Sequence, residues 1–178
     1  MVYCEWLPDL FKYDDLFSNF GVYDEAVYRI FCRDFLYNSP TFLGKEVKVY
    51  SDPKVHGKEQ TYFHITSKNY DKVNHGDRDV DILRCERIKW PKAFIEHYNC
   101  NREICTDCNG IKCWRKLDKK GRFERVKILF EEQQYIVILE DHTNTPSDCF
   151  FLVTAYHLEH SHQVKKLVAE YNSSVNVA

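Results

Sequence analysis

The sequence predicts an α+β fold: an N-terminal helical segment packed on a central, mainly antiparallel sheet of about four strands, with a C-terminal helix. Three observations predict it. FERVKILFE, QYIVILED and CFFLVTAYHL, within residues 123–156, either alternate apolar and polar residues or run unbroken and apolar. Tyr23, Val27, Ile30, Phe31 and Phe35 form a helical stripe over residues 24–36. Val164, Leu167, Val168 and Tyr171 recur at i, i+3, i+4 and i+7 over residues 160–171.

In chain order, residues 1–22 are aromatic and acidic, with Trp6, Leu7, Leu10, Phe11, Phe17 and Phe20 as anchors for a segment laid across a larger body. Asp24 is a candidate cap for the first helix, and Asn38-Ser39-Pro40 ends it. Residues 46–50 and 61–65 read as strands, the second placing Tyr62, His64 and Thr66 on one face. Residues 70–81 read as a loop with a turn at 74–76, and residues 83–88 as a short strand. Pro91 opens a short helix over 91–99. A cysteine-rich insert at 100–113 follows, then a strand over 111–117 and the central meander. Residues 172–178 read as a frayed tail. The expected division is an N-terminal segment, 1–45, and an α+β domain, 46–178, carrying the insert.

With 178 residues, 44% of them apolar and 15% aromatic, the chain can fill one sizeable core. No run approaches the ~18–20 apolar residues that span a bilayer, and no basic start leads into an apolar stretch. The expectation is a cytoplasmic protein without a membrane partner, whose eight cysteines are thiols or metal ligands. The net charge of −2 conceals an asymmetry. Residues 84–127 carry 13 Lys/Arg against 6 Asp/Glu, whereas residues 128–178 carry 2 against 7. The middle segment is therefore a candidate groove for a phosphate backbone, with a solvated mixed-charge surface as the plainer alternative.

Cys100, Cys105, Cys108 and Cys113 fall as C-x4-C-x2-C-x4-C, with Gly110 beside the central pair. Four thiolates would complete a tetrahedral, structural zinc site. The alternatives are reduced loop thiols or a redox pair. Cys4, Cys32, Cys85 and Cys149 lie in apolar settings and read as core thiols. His157, His160 and His162 read as the polar start of the last helix rather than as a metal site. A glycine-rich phosphate loop, H-E-x-x-H and G-x-S-x-G are all absent, which argues against nucleotide hydrolysis and metalloprotease chemistry.

The remaining polar residues suit metal-independent RNA cleavage, in which the 2′-OH is the nucleophile. That reaction needs a base, an acid and positive charge on the transition state. His64 is the candidate acid or base. Arg87, Lys89, Arg125 and Lys127 supply charge, Thr154 and Tyr156 supply hydroxyls, and Tyr62 and Trp90 supply faces for unpaired bases. A satisfied core histidine is the competing reading of His64.

The order FHIT, RCERIKW, RVKILFEEQQYIVILED and FFLVTAY resembles the phage-associated branch of the barnase–EndoU–colicin–RelE-like RNase superfamily, over residues 60–171. The resemblance implies a ribonuclease that needs no cofactor for catalysis and leaves 2′,3′-cyclic phosphate ends. It also implies RNA as partner, and a role in toxin–antitoxin or phage conflict with an antitoxin or immunity protein. Through it His64, Arg87, Arg125, Lys127, Thr154 and Tyr156 become catalytic candidates, and Tyr62, Lys89 and Trp90 substrate-binding ones. The insert and residues 1–45 have no counterpart in that pattern. The rival readings are a non-catalytic RNA- or protein-binding module with a zinc knuckle, and a protein–protein adaptor docking through its aromatic N-terminus.

Overall fold

A computed structural model of the chain describes residues 4–68, 78–103, 105, 106, 108–118 and 121–177. The turn expected at 74–76 lies outside the described residues. Asn19 caps α1 (Phe20–Phe31) by accepting from the Val22 amide, and Tyr23, Val27 and Phe31 face the core. A π-helical turn, Cys32–Tyr37, continues the helix and buries Phe35. β1 (Thr41–Phe42) and β2 (Lys45–Val49) follow as an antiparallel pair.

Two expected strands are helices. Residues 61–65 lie in α2 (Gln60–Thr66), and residues 83–88 largely in α3 (Ile82–Glu86). In TYFHIT the buried positions Thr61, Tyr62, Ile65 and Thr66 pair at i and i+4 along one helix face, yet so short a run also fits a period of two, and tertiary contact decides. For α3 the decision is local, because the Asp81 side chain accepts from the Arg84 amide at its start. β3 (Ser67–Lys68) and β4 (Asp79–Val80) pair between these helices. α4 (Trp90–Glu96) starts with proline in its first turn, as expected.

The central antiparallel strands are β5 (Lys112–Leu117), β6 (Glu124–Phe130), β7 (Tyr135–Asp141) and β8 (Phe150–His157). The sheet is larger than expected and mixed. Six strands run in the order β2-β8-β7-β6-β5-β9, with β1 attached only to β2. β2 pairs parallel with β8, and the presumed tail contributes β9 (Val175–Asn176) beside β5. α5 (Ser161–Asn172) closes the fold with the expected span.

β2 reaches only Phe150, Phe151 and Leu152 of β8. An irregularity then pairs Leu139 with Leu152 but Ile138 with Thr154. α2 covers the edge beyond it: Thr61 Oγ1 donates to the Leu152 carbonyl at 3.2 Å, and Thr154 Oγ1 donates to the His64 carbonyl at 3.1 Å. An exposed strand edge is an invitation to unwanted pairing, and here a helix covers it.

The sheet has two buried faces. Val126, Ile128, Phe130, Val137 and Leu139 pack with α1, α2, α4 and the N-terminal strap. Trp114, Leu129, Ile136 and Ile138 pack with Val164, Leu167 and Tyr171 of α5. Much of the basic middle segment is neutralised by the acidic C-terminal one. Arg115 meets Asp141, Arg125 meets Glu140 at 3.6 Å, Lys112 meets Glu131 at 2.9 Å, and Lys116 and Lys127 share Glu170.

Burial raises the Glu170 carboxyl, but bonds from Lys127, Lys116 and Trp114 outweigh it and hold the group at about 2. Because that value lies below the ordinary 4.5, the stabilisation is complete above pH 4.5 and fades as pH falls toward 2. Glu170→Gln should lower the thermal midpoint at pH 7 by roughly 2–4 °C, the shift for about 1 kcal/mol in a chain this size. Urea midpoints measured against pH should lose their steepest acid step in the variant.

Candidate metal centre

The strap formed by residues 4–11 crosses α3 and α4. Leu7 N–H donates to the Cys4 carbonyl, closing a turn that presents the Cys4 thiol. Trp6 stacks on His97 at 5.0 Å and meets Phe94 edge-on at 5.5 Å. Trp90 Nε1 donates to the Pro8 carbonyl, and Phe11 N–H to the Glu86 carbonyl. Aromatic anchoring of this segment is the structural role its composition predicts.

The insert begins where α4 ends. Cys100 N–H donates to the His97 carbonyl, Cys105 N–H to the Asn101 carbonyl, and Ile111 N–H to the Cys100 carbonyl. The last bond folds the loop back on itself at Gly110, whose φ is +86°. A Cβ there would lie 2.9 Å from both the Asn101 Cα and the Cys100 oxygen, so only glycine fits. Gly110 N–H in turn points at the Cys108 sulfur, 3.4 Å away.

These bonds and the strap bring three sulfurs together, with a fourth, that of Cys100, beside them. Cys4, Cys105 and Cys108 have sulfurs within 4.8 Å of one another, so this group could hold a metal ion. Cys105 lies 3.6 Å from Cys4, and Cys100 lies 3.8 Å from Cys108. A tetrahedron with Zn–S bonds of about 2.3 Å has edges of about 3.8 Å, so the Cys4–Cys105 separation suits two thiolates on one ion. Cys100 stands beside Cys108 but outside the group of three, and would have to close on it to supply a fourth thiolate. Trp6 Nε1 donates to the Cys100 sulfur at 3.4 Å, as an outer hydrogen bond to a ligand would.

Without a cation the cluster resists ionisation. Burial, then bonds and repulsion from Cys108 and Cys105, push the Cys4 thiol far above its ordinary 9. Cys100 is pushed up to about 11, by burial first and then by Cys108. A divalent ion would invert that balance and displace the protons, so affinity should rise with pH.

The ligand set differs from the one the spacing predicts. Cys113 stands opposite Ile128 in β5, fully buried in the core, and, like Cys100 at the edge beside Cys108, is outside the group. Cys4, expected to be a core thiol, takes its place. Its signal was tertiary: nothing in the spacing of 100–113 marks a ligand 96 residues upstream, although the anchored strap pointed to the same body.

The other predicted residues divide into three settings. Tyr62 and Trp90 are core side chains and offer no free face for a base. The Tyr62 hydroxyl bonds Asp24 at 2.5 Å, and Trp90 packs on Phe94 and Tyr135. Arg125 and Lys127 face carboxylates. Lys127 shares a register row with Ile138 and Thr154, two strands and about 10 Å from the latter, but its ammonium turns to Glu170. Lys89 lies over the Phe11 ring at 5.6 Å.

His64, Thr154 and Tyr156 do come together, at the α2–β8 seam. The His64 ring engages the Val153 backbone, and its carbonyl takes bonds from Thr154 and from Arg84 at 2.8 Å. Arg84 lies 5.1 Å over the Tyr156 ring. Burial, then the Arg78 and Arg84 charges, hold the His64 imidazole below its ordinary 6.5 and thus neutral at pH 7. Arg78 and Arg84 are functional candidates that sequence patterning does not single out. Arg87 stands nearby at the end of α3, beside His157.

No family model, curated protein or solved structure matches the chain. Among the described residues, no helix is long and apolar enough to cross a membrane.

Metal analysis of the purified protein should find about one zinc per chain. Cys4→Ser should lower zinc affinity by at least the 10–100-fold typical of a perturbed site, while Cys113→Ala should keep its metal and lose stability through its cavity. Equal zinc loss in both variants would contradict the Cys4 assignment.

Proposed function

We propose that the protein is an RNA-binding module whose fold is stapled by a structural zinc at Cys4, Cys100, Cys105 and Cys108. The observation that carries the binding reading is the cationic seam of Arg78, Arg84 and Arg87. Among the described residues, neither Arg78 nor Arg87 has a carboxylate partner, and Arg84 has only Asp81 at 3.7 Å. Arg78 bonds the Ser67 hydroxyl and carbonyl, and Arg87 bonds the Leu83 carbonyl. Burial is the main influence lowering all three guanidinium pKa values. Three guanidinium groups with so little close counter-charge favour an anionic partner, and a phosphate chain supplies a row of anions.

A second reading, catalysis, is favoured by the convergence of His64, Thr154 and Tyr156 with Arg84. A neutral His64 could accept the proton of a ribose 2′-OH as that oxygen bonds phosphorus, with Arg84 and Arg78 facing the charge on the non-bridging oxygens; the P–O5′ bond then breaks and the 5′-oxygen leaves with a proton from the imidazolium or water. This agrees with the ribonuclease that the motif order resembles. Arg125 and Lys127 have no part in it, since Glu140 and Glu170 hold them.

Titration of a single-stranded RNA against the zinc-loaded protein tests the binding reading. Three phosphate contacts give a slope of about −2 in log affinity against log salt, and Arg78→Ala should reduce the slope by about 0.7. Salt-independent affinity, or none at low salt, would contradict it. The same RNA, end-labelled and incubated in magnesium-free buffer, tests catalysis. Cyclic-phosphate products that fall roughly 10²–10⁴-fold in His64→Ala support it, and intact RNA rejects it.

A further inference from the structure

A cavity of about 350 Å³ lies between the strap and the end of the sheet. This is the size class of small-molecule sites, which run from about 300 to 1,000 Å³. Leu7, Pro8 and Leu10 of the strap form one wall, and Trp90 and Arg87 form the floor. The turn between β6 and β7, with Glu132 and Gln134, closes a third side next to His157.

Three of these residues carry buried side-chain atoms without a hydrogen-bond partner: Arg87 Nε, Glu132 Oε2 and His157 Nδ1. Such atoms are rare in native structures and call for a specific partner. They differ in kind. Arg87 commits one terminal nitrogen to Leu83 and leaves its Nε edge unused, and that edge binds phosphate or carboxylate oxygens. Arg87 lies beside His157, so the two define an anion-binding end. Glu132 offers the reverse, an acceptor for N–H groups. The strap supplies an apolar wall between the two ends.

We propose that this cavity binds one nucleotide unit, its phosphate on Arg87 and His157, its base N–H groups on Glu132 and its base against Leu7 and Leu10. This deepens the RNA-binding reading and rests on it. The occupant can be the end of an RNA strand or a free nucleoside monophosphate, since both present that chemistry.

The cavity is also tied to the metal centre from two sides. Its strap wall begins at Cys4, three residues before Leu7 and six before Leu10, and Glu132 uses its other oxygen, Oε1, to accept from Asn109 N–H at 2.8 Å. Asn109 directly follows the ligand Cys108. Zinc therefore fixes the apolar wall through one ligand and the base-reading carboxylate through another, and nucleotide affinity should fall when zinc is removed.

The test is calorimetric titration of the zinc-loaded protein with the four nucleoside 5′-monophosphates, with inorganic phosphate and with a single-stranded RNA. Mononucleotides should bind more tightly than phosphate, and Arg87→Ala should weaken them about 10–100-fold. Glu132→Gln should change the order of preference among the four bases. Leu10→Trp, which fills the cavity from the strap, should abolish mononucleotide binding with zinc content unchanged, and it guards against loss of folding in the polar variants. RNA binding without mononucleotide binding overturns the cavity proposal and leaves the RNA reading standing. Mononucleotide binding without RNA binding does the reverse. Binding of phosphate alone, equal to that of the nucleotides, overturns the base contact.

Discussion

The contact between Cys4 and the cysteine loop is the constraint on which the other parts of the site depend. It joins the start of the chain to residues about a hundred positions later, and closing so long a loop costs conformational entropy that local contacts do not repay. Aromatic packing of Trp6 on His97 and Phe94 offsets part of that cost, and a metal shared by Cys4 and the loop cysteines would supply the rest. Everything the strap touches follows from this closure: the Trp90 bond to Pro8, the Phe11 bond to Glu86 and the cavity wall.

The charge distribution has a related logic. A linear count makes residues 84–127 strongly basic, yet the fold sets β5 and β6 beside β7 and α5, whose carboxylates take up Arg115, Lys116, Arg125 and Lys127. The arginines on or near α3 are held differently: Arg78 and Arg87 bond hydroxyl and carbonyl oxygens, and Arg84 meets Asp81 only at 3.7 Å. Placement against the sheet, rather than abundance along the chain, thus decides which basic residues are paired with carboxylates. The same placement holds the His64 imidazole below its ordinary value, through burial first and then the Arg78 and Arg84 charges.

Much of the fold was legible in the sequence, for identifiable reasons. Val126, Ile128 and Phe130 alternate over a full strand, and Val164, Leu167 and Tyr171 repeat over two turns of α5; periods that long have one solution. TYFHIT and LRCERI are too short to choose, and there α2 was settled by the strand edge it covers and α3 by the Asp81 cap. β2 and β9 escaped notice as partners because parallel pairing and a two-residue strand leave little local pattern. Of the site, Cys100, Cys105, Cys108 and Gly110 were readable from spacing, whereas Cys4, Arg78 and Arg84 were not, since each acquires its role from a neighbour remote in the chain.

X-ray absorption at the zinc edge of the purified protein tests the central claim most directly, because it reads the ligands themselves. The account predicts four sulfur neighbours at about 2.3 Å and no light-atom ligand. A shell containing nitrogen or oxygen, or a protein that folds with the strap docked and no metal bound, would contradict it.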